Sequence, residues 1–286
     1  MLLTIITINR NDAAGLEMTM QSVLSQTCQD FEYVVVDGAS TDDSVDVIKR
    51  LAPGFGDRLK WVSEPDKGVY NAQNKGIRMA TGDYLHFLNS RDTLVSPDVV
   101  GKMVDTLEKK GYPPILYGNR IMVFPDGHSE LDKCREGKEF TFYNFYHGTL
   151  PHQSAYIRRT LFDKYGLYDE SLRIVSDWKW FATAIGLGGV KPVYVDIDLV
   201  FYDKTGISSV NIPLRDQEKR AALASMIPAS ILADYRKWDA EKLQMKNSFE
   251  QQQMKRLKRH PWAHKLVWFL ERCLYKWEKW TKPCKK

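Results

Sequence analysis

The sequence predicts an α/β protein: a mixed sheet flanked by helices, followed by a C-terminal helical extension. Three observations carry this. Short runs rich in β-branched and aromatic residues, Leu2 to Ile8, Phe31 to Val36 and Tyr84 to Leu88, read as strands buried on both faces. Segments with apolar residues at helical spacing separate them, so strand, helix and strand repeat and the pairing is parallel. After Pro113-Pro114 the punctuation changes to a hairpin pattern, which turns the sheet from parallel to mixed.

Taken in order, the first strand ends in Asn9-Arg10-Asn11-Asp12, and Leu16, Met20, Val23 and Leu24 place a helix over 16–26. The second strand ends in Asp37-Gly38 and leads through Ser40-Thr41-Asp42-Asp43-Ser44, where Asp42 or Asp43 suits the N-cap of a helix carrying Val45, Ile48 and Leu51. A third strand, Leu59 to Ser63, meets the turn Pro65-Asp66-Lys67-Gly68, and a helix begins near Val69. Gly82-Asp83 breaks it. The strand Tyr84 to Leu88 then delivers Asn89-Ser90-Arg91-Asp92 at its C-terminal end, the side of an open α/β sheet on which ligands bind.

Ser96-Pro97-Asp98 opens a helix with Val99, Val100, Met103, Val104 and Leu107 on its apolar side. Ile115 to Tyr117 and Arg120 to Phe124 read as two strands, with a turn at 125–128 leading to an antiparallel partner. The stretch 130–148, irregular, aromatic and charged, suits a mobile or substrate-covering loop more than a core element. Pro151 to Ile157 reads as a strand, Arg158 to Tyr165 as a short helix, and Ser176 or Asp177 opens a helix running through Ile185. Val193 to Phe201 is the last strand, and Asp216 to Lys237 forms a helix broken near Pro228.

With 43% hydrophobic and 27% charged residues in 286, the chain has material for a sizeable core, which excludes disorder or a collagen-like state. Cys28, Cys134, Cys273 and Cys284 show no CxxC pairing, so a reducing cytoplasmic compartment is expected and a structural zinc site is not. No basic n-region precedes Leu2 to Ile6, and no apolar run approaches the length of a membrane span. The first strand is not followed by GxGxxG, and GxxxxGK[ST] occurs nowhere, which argues against dinucleotide dehydrogenases and P-loop nucleotidases. Met254 to Lys286 holds eleven Lys or Arg against Glu271 and Glu278, a net +9, while the whole chain carries +5, so the remainder is mildly acidic at −4.

Four segments in order, TIITINRND, VVVDGASTDDS, EPDKGVYNAQNKGIRMATGDYLHFLNSRD, and HQSAYIRR with FDKYGLYDESLRIVSDWKWF, make the sequence resemble bacterial family 2 glycosyltransferases. These are inverting enzymes with a GT-A-type fold, a Rossmann-like nucleotide-binding sheet, here of the surface-polysaccharide type. The likeness covers residues 1–210 and leaves 211–286 as a helical, basic, amphipathic extension. It implies a hexosyl- or N-acetylhexosaminyltransferase taking a nucleotide-sugar donor, a UDP-sugar, and a glycan or polyprenyl-linked glycan acceptor. On the donor side it places Asp37 at the base, Asp66 at the base or ribose, and Asn74 and Asp83 in the family pattern. Asp92 ends the DXD-like motif and binds Mg²⁺ or Mn²⁺, whose hard oxygen ligands neutralise a departing diphosphate. Asp177 falls at the position of the catalytic base, and His152, Gln153 and Trp178 line the acceptor side.

The sequence departs from the family at Asn89-Ser90-Arg91-Asp92, which keeps a single carboxylate. Arg91 either pairs with a donor phosphate, as a guanidinium fork suits phosphate oxygens, or weakens metal binding, or marks a catalytically inactive protein that binds nucleotide or glycan. A nucleotidyltransferase reading lacks the Gly-rich loop after Ile8. His86, within an apolar strand, reads as a core histidine. Trp178 and Trp180 cannot share a helix face, so one packs in the core while the other is available as a sugar platform.

In the tail, Trp262, Leu266, Phe269, Cys273, Trp277 and Trp280 form one helical stripe with Lys and Arg around it. Such a helix suits the surface of an anionic membrane, which would make the protein peripheral on the cytoplasmic face of the inner membrane. The alternative is docking on the body or on a second copy in a homo-oligomer. No nucleic-acid module is recognisable.

Overall fold

The computed structural model describes residues 1–248, 252–253, 255–256 and 259–281. Its first compact unit, Met1–Met226, is built on one sheet. Strand β1 (Leu3–Asn9), helix α1 (Ala13–Leu24), β2 (Phe31–Asp37), α2 (Ser44–Phe55), β3 (Leu59–Ser63), α3 (Val69–Met79) and β4 (Tyr84–Phe87) form its parallel half. All seven residues of β1 and all seven of β2 are buried, as their uninterrupted apolar character requires for strands covered on both faces. Helix α1 starts ahead of its first apolar repeat because Asp12 caps it, accepting from the Gly15 N–H at 3.2 Å.

The second half comprises β5 (Thr93–Leu94), α4 (Val99–Lys109), β6 (Ile115–Val123), β7 (Ser129–Asp132), α5 (Phe142–His147), β8 (Ala155–Arg158), α6 (Thr160–Tyr165), α7 (Ser176–Phe181), β9 (Val193–Asp203), α8 (Ile207–Val210) and α9 (Ile212–Met226). The strand order is β3-β2-β1-β4-β8-β6-β9-β5, with β7 paired to β6. Strand β8 runs antiparallel to both β4 and β6, so the sheet is mixed as expected.

Several elements differ from the sequence expectation. Ile115 to Phe124 is one strand instead of two: β6 runs on through Gly118, where its register against β9 shifts. A Cβ at Gly118 would lie 2.6 Å from the Ile197 carbonyl oxygen, so glycine permits the close approach that the sequence reading took for a break. The stretch 130–148 is not all loop. It contributes β7 and α5, the latter started by a capping box in which Thr141 and Asn144 bond reciprocally. Helix α7 passes into a π-helical turn at Ala182–Leu187. Strand β5 is too short for any periodic signal. Helix α9 belongs to the sheet-bearing unit, which ends at Met226.

The second unit contains α10 (Ala229–Asn247) and α11 (Pro261–Thr281). On α11, Trp262, Leu266, Phe269 and Trp277 of the expected stripe are exposed, and so are Trp268 and Tyr275 off it. The Trp280 side chain and Cys284 lie outside the described residues. Among the described residues no helix is long and apolar enough to cross a membrane.

Candidate active site

Strand order reverses between β1 and β4, both running parallel, and the cleft lies beyond their C-terminal ends, the place such sheets offer a ligand. It encloses about 920 Å³. Its walls are Ile8 to Asp12, the Asp66 to Gln73 turn and first helical turns of α3, Asn89 to Asp92, the 151–153 segment, Ile174 to Trp178, Asp203 to Ser209, and one face of α9.

Asp66 is 5% exposed and accepts from the Gly68 N–H at 2.9 Å, with Arg10 4.0 Å away. Gly38 makes this position available, since a Cβ there would come within 2.1 Å of Asp66 Oδ2. Asp37 is fully buried and does not line the cleft. Its oxygens accept from Asn9 Nδ2 (3.0 Å), the Ser40 N–H (2.9 Å) and hydroxyl (2.5 Å), and the Ser63 hydroxyl (2.6 Å). Burial pushes its pKa up, but the bonds from Ser40, Ser63 and Asn9 outweigh it and keep the carboxylate below its ordinary range. What Asp37 does here is tie the ends of β1, β2 and β3 together.

Asp92 lines the cleft and is 3% exposed, with Oδ1 accepting from the Asp203 N–H at 3.1 Å. Burial pushes its pKa up to about 8; the hydrogen bond opposes this and the charge of Asp203 adds to it. Its neighbour Arg91 stands at φ 76° and lies against α1. The fork donates from Nε to Asp12 Oδ2 (2.6 Å) and from Nη2 to Asp12 Oδ1 (2.8 Å). Gly15 leaves room for this pair, as a Cβ would meet Asp12 Oδ2 at 2.3 Å and Arg91 Cγ at 2.5 Å.

Among the described residues no group of three or more acids, histidines or cysteines converges on one point. The donor set that would face a divalent cation is the hard carboxylate of Asp92, whose uncharged form burial favours when no cation is near. That set fits a cation arriving on phosphate oxygens, which needs only one or two protein carboxylates.

Asp177 opens the first turn of α7 and His152 lies just before β8. The register of β8 against β4, with His86 opposite Tyr156, brings residue 152 back to Asn89 at the end of β4. His152 Nδ1 is 2.9 Å from Asp177 Oδ2, and its Nε2 is 3.4 Å from Asn89 Nδ2. The Tyr70 hydroxyl reaches Asp177 Oδ1 at 2.7 Å and the Ile174 carbonyl at 2.6 Å. Gln73 Nε2 donates to Asn89 Oδ1 at 3.3 Å. Burial works to raise the pKa of Asp177, yet the His152 hydrogen bond and field, then Tyr70, bring it below the ordinary value. All five side chains line the cleft.

Gln153 and Trp178 line it too. Trp178 is buried, donates from Nε1 to the Phe145 carbonyl at 2.8 Å, and has the Lys219 ammonium 5.2 Å from its ring centroid. Trp180 is the core member of the pair, stacked on Phe162 at 4.5 Å. His86 is a core residue as read: buried, stacked on Tyr156, with its pKa lowered to about 4 by burial.

The structure does not bring Asn74 or Asp83 to the cleft. Asp83 is exposed at the start of β4, the opposite end of the strand from Asn89. Asn74 is buried and bonds the 168–170 loop, donating to the Tyr168 carbonyl and Glu170 Oε1 at 2.9 Å each and accepting from the Tyr168 N–H at 3.0 Å. Asn74→Ala leaves a buried N–H and carbonyl unpaired, so we expect it to lower stability by about 1–3 kcal/mol, read from the denaturant midpoint. A loss below a few tenths would show that the loop closes without it.

The family model for glycosyl transferase family 2 matches residues 4–166. The chain belongs to glycosyl transferase family 2. An uncharacterized glycosyltransferase of Mycobacterium tuberculosis is 36% identical over 213 residues, 73% of this chain and 78% of that protein. A PGL/p-HBAD biosynthesis glycosyltransferase of Mycobacterium bovis is 29% identical over 221 residues, 76% and 82% of the two chains. Among solved structures, Staphylococcus aureus TarS 1–349 in complex with UDP-GlcNAc superposes with a TM-score of 0.60 at 18% identity, over 72% of this chain. The match spans 59% of that TarS chain. The mannosyltransferase PcManGT of Pyrobaculum calidifontis, in complex with GDP-Man and Mn²⁺, gives 0.55 at 17% identity over 92% and 86% of the two chains. The fold is of the GT-A type.

Against this family 2 frame, the sequence reading missed Tyr70, Gln73 and the cationic wall. Tyr70 and Gln73 occupy one face of α3 at i and i+3, a pattern visible in the sequence. The wall combines Arg120 and Lys204 with Arg215 and Lys219, which recur with Ile212 and Asp216 at helical spacing on the cleft face of α9. Lys219 is lowered to about 8 by burial, then by Arg215.

Proposed function

We propose that this family 2 glycosyltransferase moves a sugar from a nucleotide donor, of the UDP-sugar class, with inversion onto a glycan or lipid-linked glycan in bacterial surface-polysaccharide assembly. The observation that carries the reading is that one cleft holds both Asp92 with a cationic wall and the Asp177–His152 pair. The first group suits a diphosphate leaving group, and the second suits a hydroxyl that must lose its proton. The UDP-GlcNAc of TarS and the GDP-Man of PcManGT support a sugar-nucleotide donor, and the PGL/p-HBAD biosynthesis relative supports a glycosyltransferase role.

Asp66 and Arg10 flank the nucleoside end, while Arg120, Lys204 and Arg215 hold negative charge on the diphosphate. Asp92 would hold Mg²⁺ or Mn²⁺, which would supply charge compensation to a departing diphosphate. Trp178 offers a face to the acceptor, and the Asp177–His152 pair takes its proton. Incubation with a panel of UDP- and GDP-sugars and extracted lipid-linked glycans tests this: release of nucleoside diphosphate with a glycosylated product supports the transferase, and sugar-nucleotide binding without product over that panel contradicts it.

Helix α11 brings the protein to the anionic membrane that carries such an acceptor, each nearby Lys or Arg contributing roughly 1 kcal/mol. Truncation after Arg259 is therefore expected to abolish co-sedimentation with anionic vesicles at low salt. Equal sedimentation of the truncated and full chains would contradict this role.

A further inference from the structure

We propose that the atom receiving the acceptor's proton is Nε2 of His152, and that Asp177 acts through the imidazole as a positioning residue. This deepens the transferase reading and rests on it. A carboxylate oxygen only accepts, so the 2.9 Å contact between Asp177 Oδ2 and His152 Nδ1 puts a proton on Nδ1. The neutral ring then carries its lone pair on Nε2. The neighbour of Nε2 agrees, because Asn89 offers it the NH₂ end of its amide at 3.4 Å, while the Asn89 oxygen accepts from Gln73. That contact is longer than an ordinary hydrogen bond, so a hydroxyl entering the cleft takes the lone pair at little cost.

Asp177 is placed differently. Oδ2 is taken by His152, Oδ1 shares the single proton of the Tyr70 hydroxyl with the Ile174 carbonyl, and the Trp178 N–H also contributes to holding the carboxylate below its ordinary range. A carboxylate so well satisfied is a weak base, since efficiency in proton transfer rises with basicity. It is well suited to fixing a tautomer and stabilising an imidazolium. The ring itself is held by the Asp177 contact and by Phe87, edge-on at 6.3 Å between centroids.

The step balances within the site. The acceptor oxygen forms its bond to the anomeric carbon as the bond from that carbon to the nucleoside diphosphate breaks and the electron pair leaves with the phosphate. The acceptor O–H proton passes to Nε2, giving an imidazolium beside the Asp177 carboxylate. Neither an oxidant nor a co-reactant is needed.

Three variants of the full chain test this. His152→Gln keeps an N–H to face Asp177 and removes the basic nitrogen, and His152→Ala opens space for free imidazole. Both are expected to lose about 10²- to 10⁴-fold in turnover with the donor Kd, measured by calorimetry with the sugar nucleotide that binds wild type, unchanged within about twofold. Free imidazole should restore part of the His152→Ala loss, and His152→Ala/Asp177→Asn should be no slower than His152→Ala, because the two groups act as a unit. Turnover of His152→Gln within about tenfold of wild type, or a double variant far slower than His152→Ala, would overturn the assignment and leave Asp177 acting on the acceptor directly. Side-chain ¹⁵N spectra of the wild-type chain give a readout that needs no acceptor: a protonated Nδ1 with a bare Nε2 is expected, and the reverse tautomer would also overturn the proposal. Failure of wild type to bind any sugar nucleotide would instead count against the transferase reading.

Discussion

Asp177→Asn should lower turnover by about 10²- to 10⁴-fold while leaving sugar-nucleotide affinity nearly unchanged. The carboxylate accepts from two neighbours at once, His152 Nδ1 at 2.9 Å and the Tyr70 hydroxyl at 2.7 Å. Asn offers one oxygen and one NH₂ group where two acceptors stood, so one neighbour loses its partner or the imidazole changes tautomer. The charge that stabilises an imidazolium is lost as well. Because the hydrogen bonds of Asp177 run to His152, Tyr70 and the start of α7, and not to Asp66 or Asp92, donor binding there should not respond. A fall in turnover matched by an equal fall in donor affinity would mean that the substitution disturbs the cleft as a whole.

Asp92 gives the second large effect, with function and stability moving in different directions. Asp92 is 3% exposed and burial pushes its pKa up to about 8, so without a cation the group is mostly protonated and uncharged at neutral pH. Asp92→Asn keeps the shape and the acceptor for the Asp203 N–H, and should leave the thermal midpoint in metal-free buffer unchanged or higher. Its sugar-nucleotide affinity in Mn²⁺ should fall at least about tenfold, or about 1.4 kcal/mol, and lose its dependence on the metal. Metal-dependent affinity equal to wild type would remove Asp92 as the cation's ligand. Affinity and midpoint falling together would assign it a purely structural role.

Much of the fold was legible because its first half is strongly periodic. The apolar runs of β1 and β2, the turn at Asp66 and the start of α3 at Val69 read directly from residue type. The later strands were harder: the break read at Gly118 is a close approach to β9, which no local pattern records, and β5 is too short to have one. Within the site, sequence position identified the cleft-lining Asp66, Asp92, His152 and Asp177, but not the direction of every side chain. Asn74 and Asp83 belong to the same family pattern, yet the Asn74 amide bonds the 168–170 loop and Asp83 is exposed at the start of β4. The fork of Arg91 onto Asp12 joins residues 79 apart in the chain, and Lys219 reaches the cleft from α9. Such pairings come from tertiary packing, to which a one-dimensional pattern is blind.

The central claim is that the cleft beyond β1 and β4 binds a nucleotide sugar with a divalent cation. Calorimetric titration of UDP-, GDP- and dTDP-sugars into the full chain, with and without Mn²⁺, tests it most directly. The account predicts that one class of sugar nucleotide binds, that Mn²⁺ strengthens the binding, and that Asp92→Asn removes the metal's contribution. No heat from any sugar nucleotide in either buffer would contradict it.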